Sequence, residues 1–443
     1  MKTSRLPATP RESLSLVGVT GVIVRTICRG AEIFGFWKFP FRKAAPDILD
    51  MSLLDKIYWV FKTENPIIRP EADNPLKRVS PDSRSVQLPA GFDTGDSLTM
   101  GAVGDLIKVD GLENAGDFLY EKVADLIFEN DIIYGNLESQ LTKQEIGEMI
   151  FKEDEAPTLC CTSQQYNTIK SHRGRRFSVL HTACNHTLDM GIEGLETTLQ
   201  QLQTDQIIDI GTNLQAGDQK KGKILEVKGI RIGFISATFG LNGKAIPAGE
   251  AYRVNVVNIH NPDIPADLGL LQRQIAHCRQ EHCDFIIASL HWGFEYEFFP
   301  RTDQVKTAHW LVESGVDAII SHHAHVIQPV EVYRTRRDPD RLAVIAYSLG
   351  NLTSSYSAPS IALSQILNLS LNKGTLNNQS RTYIESYAVT PVVQLEKENR
   401  GKPAIQLIKV SDVTKEDDLP LGQAYLEELD FFVNLVGGQF RTD

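Results

Sequence analysis

Ser321-His322-His323-Ala324-His325 follows an apolar run and clusters three imidazoles at one turn. A buried turn has little structural use for so many histidines. A metal does, because each neutral imidazole nitrogen can donate to it. All 11 histidines lie between His172 and His325, and two more stand in loops of the same kind, Asn185-His186 and His291-Trp292-Gly293. Oxygen donors come from Val103-Gly104-Asp105 and Gly135-Asn136-Leu137-Glu138. Carboxylate, amide oxygen and imidazole together suit Mn, Fe or Zn better than Ca or Mg alone. The chemistry such a set supports is hydrolysis by metal-activated water, which needs no Ser or Cys nucleophile. The chain carries no nucleophile elbow and no P-loop that would support another route.

Each piece alone is weak. A lone Gly-Asp after a strand is usually a turn, and a lone His291 would be a core histidine. The argument rests on five such segments sharing one grammar, an apolar strand that stops at a ligand-capable residue. Ligands placed at strand ends are held by a rigid sheet while their tips reach a common crevice.

The positioning elements follow from the texture of the chain. Short apolar runs ending in Gly, Asn or His alternate with amphipathic stretches from Ser97 onward, which is an α/β pattern. Strands are expected at Leu98–Val103, Ile132–Tyr134, Ser178–Thr182, Ile207–Ile210, Lys223–Val227, Arg231–Ala237, Phe285–Leu290, Ala318–Ser321, Val330–Tyr333 and Val344–Ser348. Helices are expected at Ala115–Phe128, Gly191–Gln203, Leu268–Glu281 and Gln304–Ser314. Ile361–Leu371, Tyr383–Leu395 and Ala404–Val410 suggest a strand-rich end, followed by a terminal helix from Leu421 to Leu435. The expected organisation is an N-terminal extension and Pro-rich connector over 1–95, a main domain over 96–400, and a strand and helix over 401–443 that complete it.

The order Gly-Asp, Asn-Leu-Glu, Asn-His-x-x-Asp-x-Gly, His-Trp-Gly-x-Glu and His-His-x-His resembles the CapA capsule-synthesis family. That family is associated with bacterial poly-γ-glutamate production and groups with the calcineurin-like metallophosphatases. The likeness runs through Ala183 to Gly191, His291 to Tyr296, and Gly315-Val316-Asp317 leading into His323 to Gln328 with Glu331 and Tyr333. It ends in Tyr347-Ser348-Leu349-Gly350-Asn351-Leu352. It covers about residues 97 to 395 and implies a two-sheet β-sandwich flanked by helices.

Carried over position by position, the resemblance makes Asp105 a ligand of a first metal and Glu138 a bridging or second-metal ligand. Asn185 would give an amide oxygen, His291 and His323 would bind the second metal, and His325 would return to the first. His186 takes the place of a catalytic histidine beside Asp105 and Asn185, and Asn136 and Glu295 become substrate-facing. One or two divalent transition ions (Mn, Fe or Zn) are implied. The sequence departs from the phosphatase pattern in that Asp105-Leu106-Ile107 lacks the histidine of Asp-x-His. Asn136-Leu137-Glu138 also replaces Gly-Asp-x-x-Asp. Cys184 and Ser321 stand where the family has Asn and Gly, and neither removes an expected ligand. Phosphoester hydrolysis and attack on a γ-glutamyl amide are both open. So is a weakly catalytic or non-catalytic role in a membrane-bound complex that makes or exports a polymer.

Composition sets the outer bounds. The net charge of −11 argues against a general nucleic-acid binder. Six cysteines without CxxC spacing read as free thiols. An anionic small molecule or polyglutamate-like substrate is expected. Arg173, with Arg175 and Arg176, either guides it or forms a solvated loop. No segment reaches the roughly 20 apolar residues that span a bilayer. Residues 1–43 carry eight Lys or Arg against two acids, starting with Lys2 and Arg5. Phe34, Phe36, Trp37, Phe39 and Phe41 are interleaved with them. This segment either lies on an anionic membrane surface or packs its aromatics on the main domain. The expected location is cytoplasmic with peripheral membrane contact, or else the cell surface.

Overall fold

The computed structural model describes residues 6–14, 18–76, 84–142, 157–259, 266–415 and 421–437. Lys2, Arg5 and Pro81 lie outside the described residues.

Two sheets face each other. The first has nine strands, running Arg84–Ser85, Gln379–Asn399, Leu363–Leu376, Asp93–Leu106, Ile132–Leu137, Val179–His181, Ile208–Ile210. Asn351–Thr353 pairs with the Asp93–Leu106 strand, and Lys402–Lys409 pairs with Gln379–Asn399. The second has six, in the order Lys223–Val227, Ile230–Thr238, Phe285–His291, Ala318–His322, Leu342–Ala346, Val330–Arg334. In both, the strands that end at the expected ligands run parallel. The architecture is the expected α/β sandwich of two sheets flanked by helices.

Side-chain alternation explains the layering, since successive residues of a strand point to opposite faces. Leu98, Met100, Ala102, Ile132 and Tyr134 meet Ile232, Phe234, Ile287, Ala318 and Ile320 between the sheets. The opposite face of the first sheet packs Val103, Ile133 and Leu180 on Leu119, Tyr120, Tyr166 and Leu202. The opposite face of the second packs Ile286, Ala288, Leu290 and Ile319 on helices Gly269–Gln280 and Thr302–Glu313. Strands buried on both faces read as continuous apolar runs, which is why Phe285–His291 and Ala318–His322 were visible in the sequence.

Two expectations change. The helix expected over Ala115–Phe128 is broken into Leu112–Ala115, a 3₁₀ turn at Gly116–Leu119, and Ala124–Ile127. Gly116 takes a positive φ of 51°, which a continuous helix forbids, yet Leu119, Tyr120, Val123 and Ile127 still reach the core. The closing strands are also longer than their apolar stretches. Asn377 (φ 52°) and Asn378 (φ 60°) form a tight turn that extends the Leu363–Leu376 and Gln379–Asn399 pair past its buried part.

The N-terminal segment is attached to this sandwich. Helix Leu53–Glu64 starts at a capping box between Ser52 and Asp55. It buries Ile57, Tyr58, Val60 and Phe61 against Val24, Cys28, Ala31 and Phe294. Ile67 bridges Glu297. The five interleaved aromatics divide: Trp37 and Phe41 pack with Tyr58, whereas Phe34, Phe36 and Phe39 are exposed.

Candidate metal centre

Strand register brings the polar residues into two rows. In the first sheet Asn351 pairs with Asp105, Asp105 with Asn136, and Asn136 with His181. In the second, Thr238 pairs with His291 and His291 with His322. Both rows lie at the ends of parallel strands, where loops of an α/β sheet open a crevice.

Gly104 allows this approach. A Cβ there would meet the Gly350 carbonyl oxygen at 1.9 Å, and that same oxygen accepts from the Asp105 N–H at 2.9 Å. Past the second row, His323 (φ 93°), His325 (φ 55°) and Tyr296 (φ 59°) take left-handed backbone conformations that cost non-glycine residues energy. Such strain persists where surrounding contacts hold it, as they commonly do at functional sites.

Asp105 is fully buried, and its Oδ1 accepts from Asn136 Nδ2 at 2.9 Å. His322 Nδ1 also lies 2.9 Å from Oδ1. The His323 N–H donates to Oδ2 at 3.4 Å, and His325 Nδ1 is 3.7 Å from that oxygen. Glu138 is buried to the same degree, and among the described residues neither of its carboxylate oxygens has a hydrogen-bond donor. Around it stand His291 Nε2 at 3.6 Å and His325 Nε2 at 3.8 Å. His291 Nε2 is held at 2.8 Å from Asn185 Oδ1. His325 Nδ1 contacts Asn351 Oδ1 at 2.9 Å, and its Nε2 is 4.0 Å from Glu295 Oε1.

Two groups can each converge on one ion, with donor atoms within 4.8 Å of one another: Asp105, Glu138 and His291, and Glu295, His323 and His325. The electrostatics fit. Burial raises the Glu138 carboxyl well above its ordinary range, and the Asp105 and Glu295 charges raise it further. Burial and the neighbouring imidazoles lower His291. Burial also opposes ionisation of Asp105, but the contacts from His322, His325 and Asn136 outweigh it and hold this carboxyl below the usual value. A buried carboxylate whose oxygens lack donors, beside an imidazole held neutral at His291, is short of positive charge. A divalent cation would supply that charge.

His186 is buried at the edge of the cluster, with Nδ1 on Asp189 Oδ2 at 2.7 Å and Nε2 facing Asn242 Nδ2 at 3.4 Å. Asn242 also accepts from Asn185 Nδ2 at 3.1 Å, which ties the His186 loop to a ligand candidate. Arg173 stands apart. It is exposed at a surface turn, with Glu121 at 3.7 Å and its backbone N–H on Asp117. Cys184 is a buried thiol against Thr187, raised by burial and by Glu138. None of the six cysteines forms a disulfide.

Some residues had no assigned role in the sequence. His322 Nε2 meets the Tyr134 hydroxyl at 2.8 Å, and that hydroxyl also contacts Ser289. Asp189, Asn242 and Asn351 each fix one imidazole or amide of the cluster, and Trp59 donates through Nε1 to Glu295. His322, Asp189 and Asn351 stood inside quoted motifs. Trp59 and Asn242 had no local signal.

The model of the family described as bacterial capsule synthesis protein PGA_cap matches residues 92–356. This chain belongs to that family. The match takes in every residue of both candidate metal groups. Over 340 residues the chain is 26% identical to the PGA biosynthesis protein CapA of Bacillus subtilis, covering 76% of this chain and 79% of that one. It is 27% identical to the capsule biosynthesis protein CapA of Bacillus anthracis over 265 residues, 58% of this chain and 59% of that one. Among solved structures, the calcineurin-like phosphoesterase YfkN from Bacillus subtilis aligns at a TM-score of 0.37 and 13% identity. That alignment covers 77% of this chain and 99% of that one.

Proposed function

We propose that this family member is a metal-dependent hydrolase of capsular polymer metabolism, acting on a γ-glutamyl amide or a phosphoester. The observation that carries the reading is Glu138, a fully buried carboxylate with both oxygens unmatched, set among His291, His325 and Asp105. Membership in a capsule-synthesis family points to the γ-glutamyl polymer as substrate class.

Asp105, Glu138, Asn185, His291, His323 and His325 would hold one or two ions of Mn, Fe or Zn, with Glu295 joining the His323 and His325 side. When bound there, such ions supply Lewis acidity toward water and toward the scissile group. The chain's own residues do the rest. Asp189 accepts a hydrogen bond from the His186 Nδ1–H, which fixes the ring and leaves Nε2 as the atom that would exchange a proton with the leaving group. Asn136 holds the Asp105 carboxylate, and Asn185 holds the His291 ring. The sheet ends fix these atoms before substrate arrives.

The test is elemental analysis of untagged protein beside His291→Ala and His323→Ala, followed by turnover of phosphoesters and γ-glutamyl peptides. Ions present in the wild type and lost in both variants, with turnover lost in parallel, support the reading. A wild type that stays empty after Mn, Fe and Zn are supplied overturns it.

A second reading, a membrane-associated component of a polymer-making complex, is favoured by helix Gly18–Phe34. Among the described residues no helix is long and apolar enough to cross a membrane. Val24, Cys28 and Ala31 of this helix face the protein, whereas Ile23, Ile27 and Phe34 are exposed, with Arg25 and Arg29 exposed along one flank. That pattern suits an anionic membrane surface. Sedimentation with anionic vesicles, lost in Ile23→Asp with Ile27→Asp, tests it.

A further inference from the structure

The family model matches residues 92–356, yet Trp59, which lies outside them, touches the candidate centre. From helix Leu53–Glu64 it donates its indole N–H to Glu295 Oε2. The other oxygen of that carboxylate, Oε1, stands 4.0 Å from His325 Nε2. The two oxygens are thus divided. One is held by the indole, and the other faces an imidazole with which Glu295 can share an ion. A glutamate fixed at one oxygen has less rotamer freedom to lose when the other takes up a metal.

The helix that carries Trp59 is tied to the same short segment of chain. The Tyr296 N–H donates to the Ala324 carbonyl at 2.8 Å, on the loop of His323 and His325. The Tyr296 carbonyl accepts from the Ile67 N–H at 2.9 Å, and the Ile67 carbonyl accepts from the Phe298 N–H at 2.9 Å. Tyr58 and Lys62, on the helix itself, each donate to Glu297 Oε1 at 3.1 Å. The Trp59 ring meets the Tyr296 ring edge-on at 6.3 Å, and Tyr296 lies 6.0 Å from the His325 ring. The cavity left between the helix and the Glu295 and His323 side chains measures about 20 Å³, room for about one water. The helix therefore packs on this group and covers it.

We propose that Trp59 is a positioning residue for the Glu295, His323 and His325 group, which makes the N-terminal segment a working part of the metal centre. This deepens the metal-dependent reading and rests on it for the ion that the group holds. Trp59 acts through Glu295, by fixing Oε2 so that Oε1 stays turned toward His325. The role predicts a ranking of variants that packing alone would reverse. In Trp59→His the imidazole Nε2 falls at the place of the indole Nε1 in the five-membered ring, so the donor is kept and bulk is lost. Trp59→Phe keeps an aromatic ring against Tyr296 and loses the donor.

The test uses the full chain and manganese, with affinity and stoichiometry read by calorimetry. Trp59→Phe should bind about tenfold more weakly than the wild type or worse, the usual cost of losing a partner of a ligand, and Trp59→His should bind more tightly than Trp59→Phe. Glu295→Ala should weaken binding too, and adding Trp59→Phe to it should change nothing further, since the group it acts through is gone. Wild-type affinity in Trp59→Phe or in Glu295→Ala overturns the proposal. So does Trp59→His binding no better than Trp59→Phe, or an equal loss from Trp59→Phe with and without Glu295. If Trp59→Phe folds poorly, Trp59→His still decides, because affinity as low as that of Glu295→Ala overturns the proposal by itself. A wild type that binds no manganese, iron or zinc removes the centre and the hydrolase reading together. Binding that depends on Trp59, with no turnover of any γ-glutamyl or phosphoester substrate, removes the hydrolase and leaves the positioning role standing.

Discussion

His322 Nδ1 lies 2.9 Å from Asp105 Oδ1, while its other ring nitrogen lies 2.8 Å from the Tyr134 hydroxyl between the two sheets. One imidazole thus ties a ligand candidate from the first sheet to a core residue of the same sheet while itself hanging from the second. Partners of this type orient ligands, and their loss typically costs roughly 10–100-fold in metal affinity. His322→Ala should weaken manganese binding by about that factor without abolishing it. Titration by calorimetry checks this, and an unchanged affinity would show that the remaining partners of Asp105 hold it without His322.

His323 is different in kind, because it is a direct candidate ligand grouped with Glu295 and His325. His323→Ala should remove the ion from that group, so metal stoichiometry by elemental analysis should fall. An unchanged stoichiometry would mean that the metal is held elsewhere.

Among the described residues His186 belongs to neither candidate group, and its hydrogen-bond partners are Asp189 and Asn242. His186→Ala should therefore leave metal content alone and reduce kcat, by roughly 10²–10⁴-fold if it works as the general acid. Full activity in the variant would remove that role.

Much of this centre was legible because strand ends and ligand types coincide in the sequence. Asp105, Glu138, His291 and His323 each follow an apolar run, and the fold delivers such runs to one edge. What local pattern could not show is contact across the sandwich. The His322 link to Tyr134 joins residues 188 positions apart, and the Trp59 link to Glu295 joins residues 236 apart. Arg173 is a different case: the sequence left substrate guidance and a solvated loop both open, and the short Ser171–His172 and Arg175–Arg176 hairpin carries it at an exposed turn that decides between neither. The broken helix after Val109 was hidden because its apolar spacing is helical even though Gly116 interrupts the backbone.

Gly104 links stability to the centre. An alanine Cβ at that position would lie 1.9 Å from the Gly350 carbonyl, which is backbone and cannot move aside cheaply. Gly104→Ala should cost about 1–3 kcal/mol of stability, as overpacking does. It should also weaken metal binding, since the displaced carbonyl is the partner of the Asp105 N–H. A denaturant midpoint and a metal titration on the same sample measure both. A loss of stability with intact metal affinity would separate the two.

Glu297 fastens helix Leu53–Glu64 by accepting from Tyr58 and Lys62, each at 3.1 Å, and its ionisation should set acid stability. Burial pushes this carboxyl up, but Arg301 and Lys62 outweigh that and bring it to about 2. The folded value is below the ordinary carboxylate value of about 4.3 in an unfolded chain. Its contribution is therefore fully present above that value and is lost as pH falls toward 2. Glu297→Gln leaves Lys62 and Arg301 buried without their counter-ion, a change that typically costs roughly 3–5 kcal/mol at neutral pH. The variant should consequently be less stable than the wild type at pH 7. The gap should narrow as pH is lowered from about 4 toward 2, because the wild type is then losing the same charge. Thermal midpoints across that range decide it. A gap that stays constant down to pH 2 would mean that the network acts through packing rather than through the Glu297 charge.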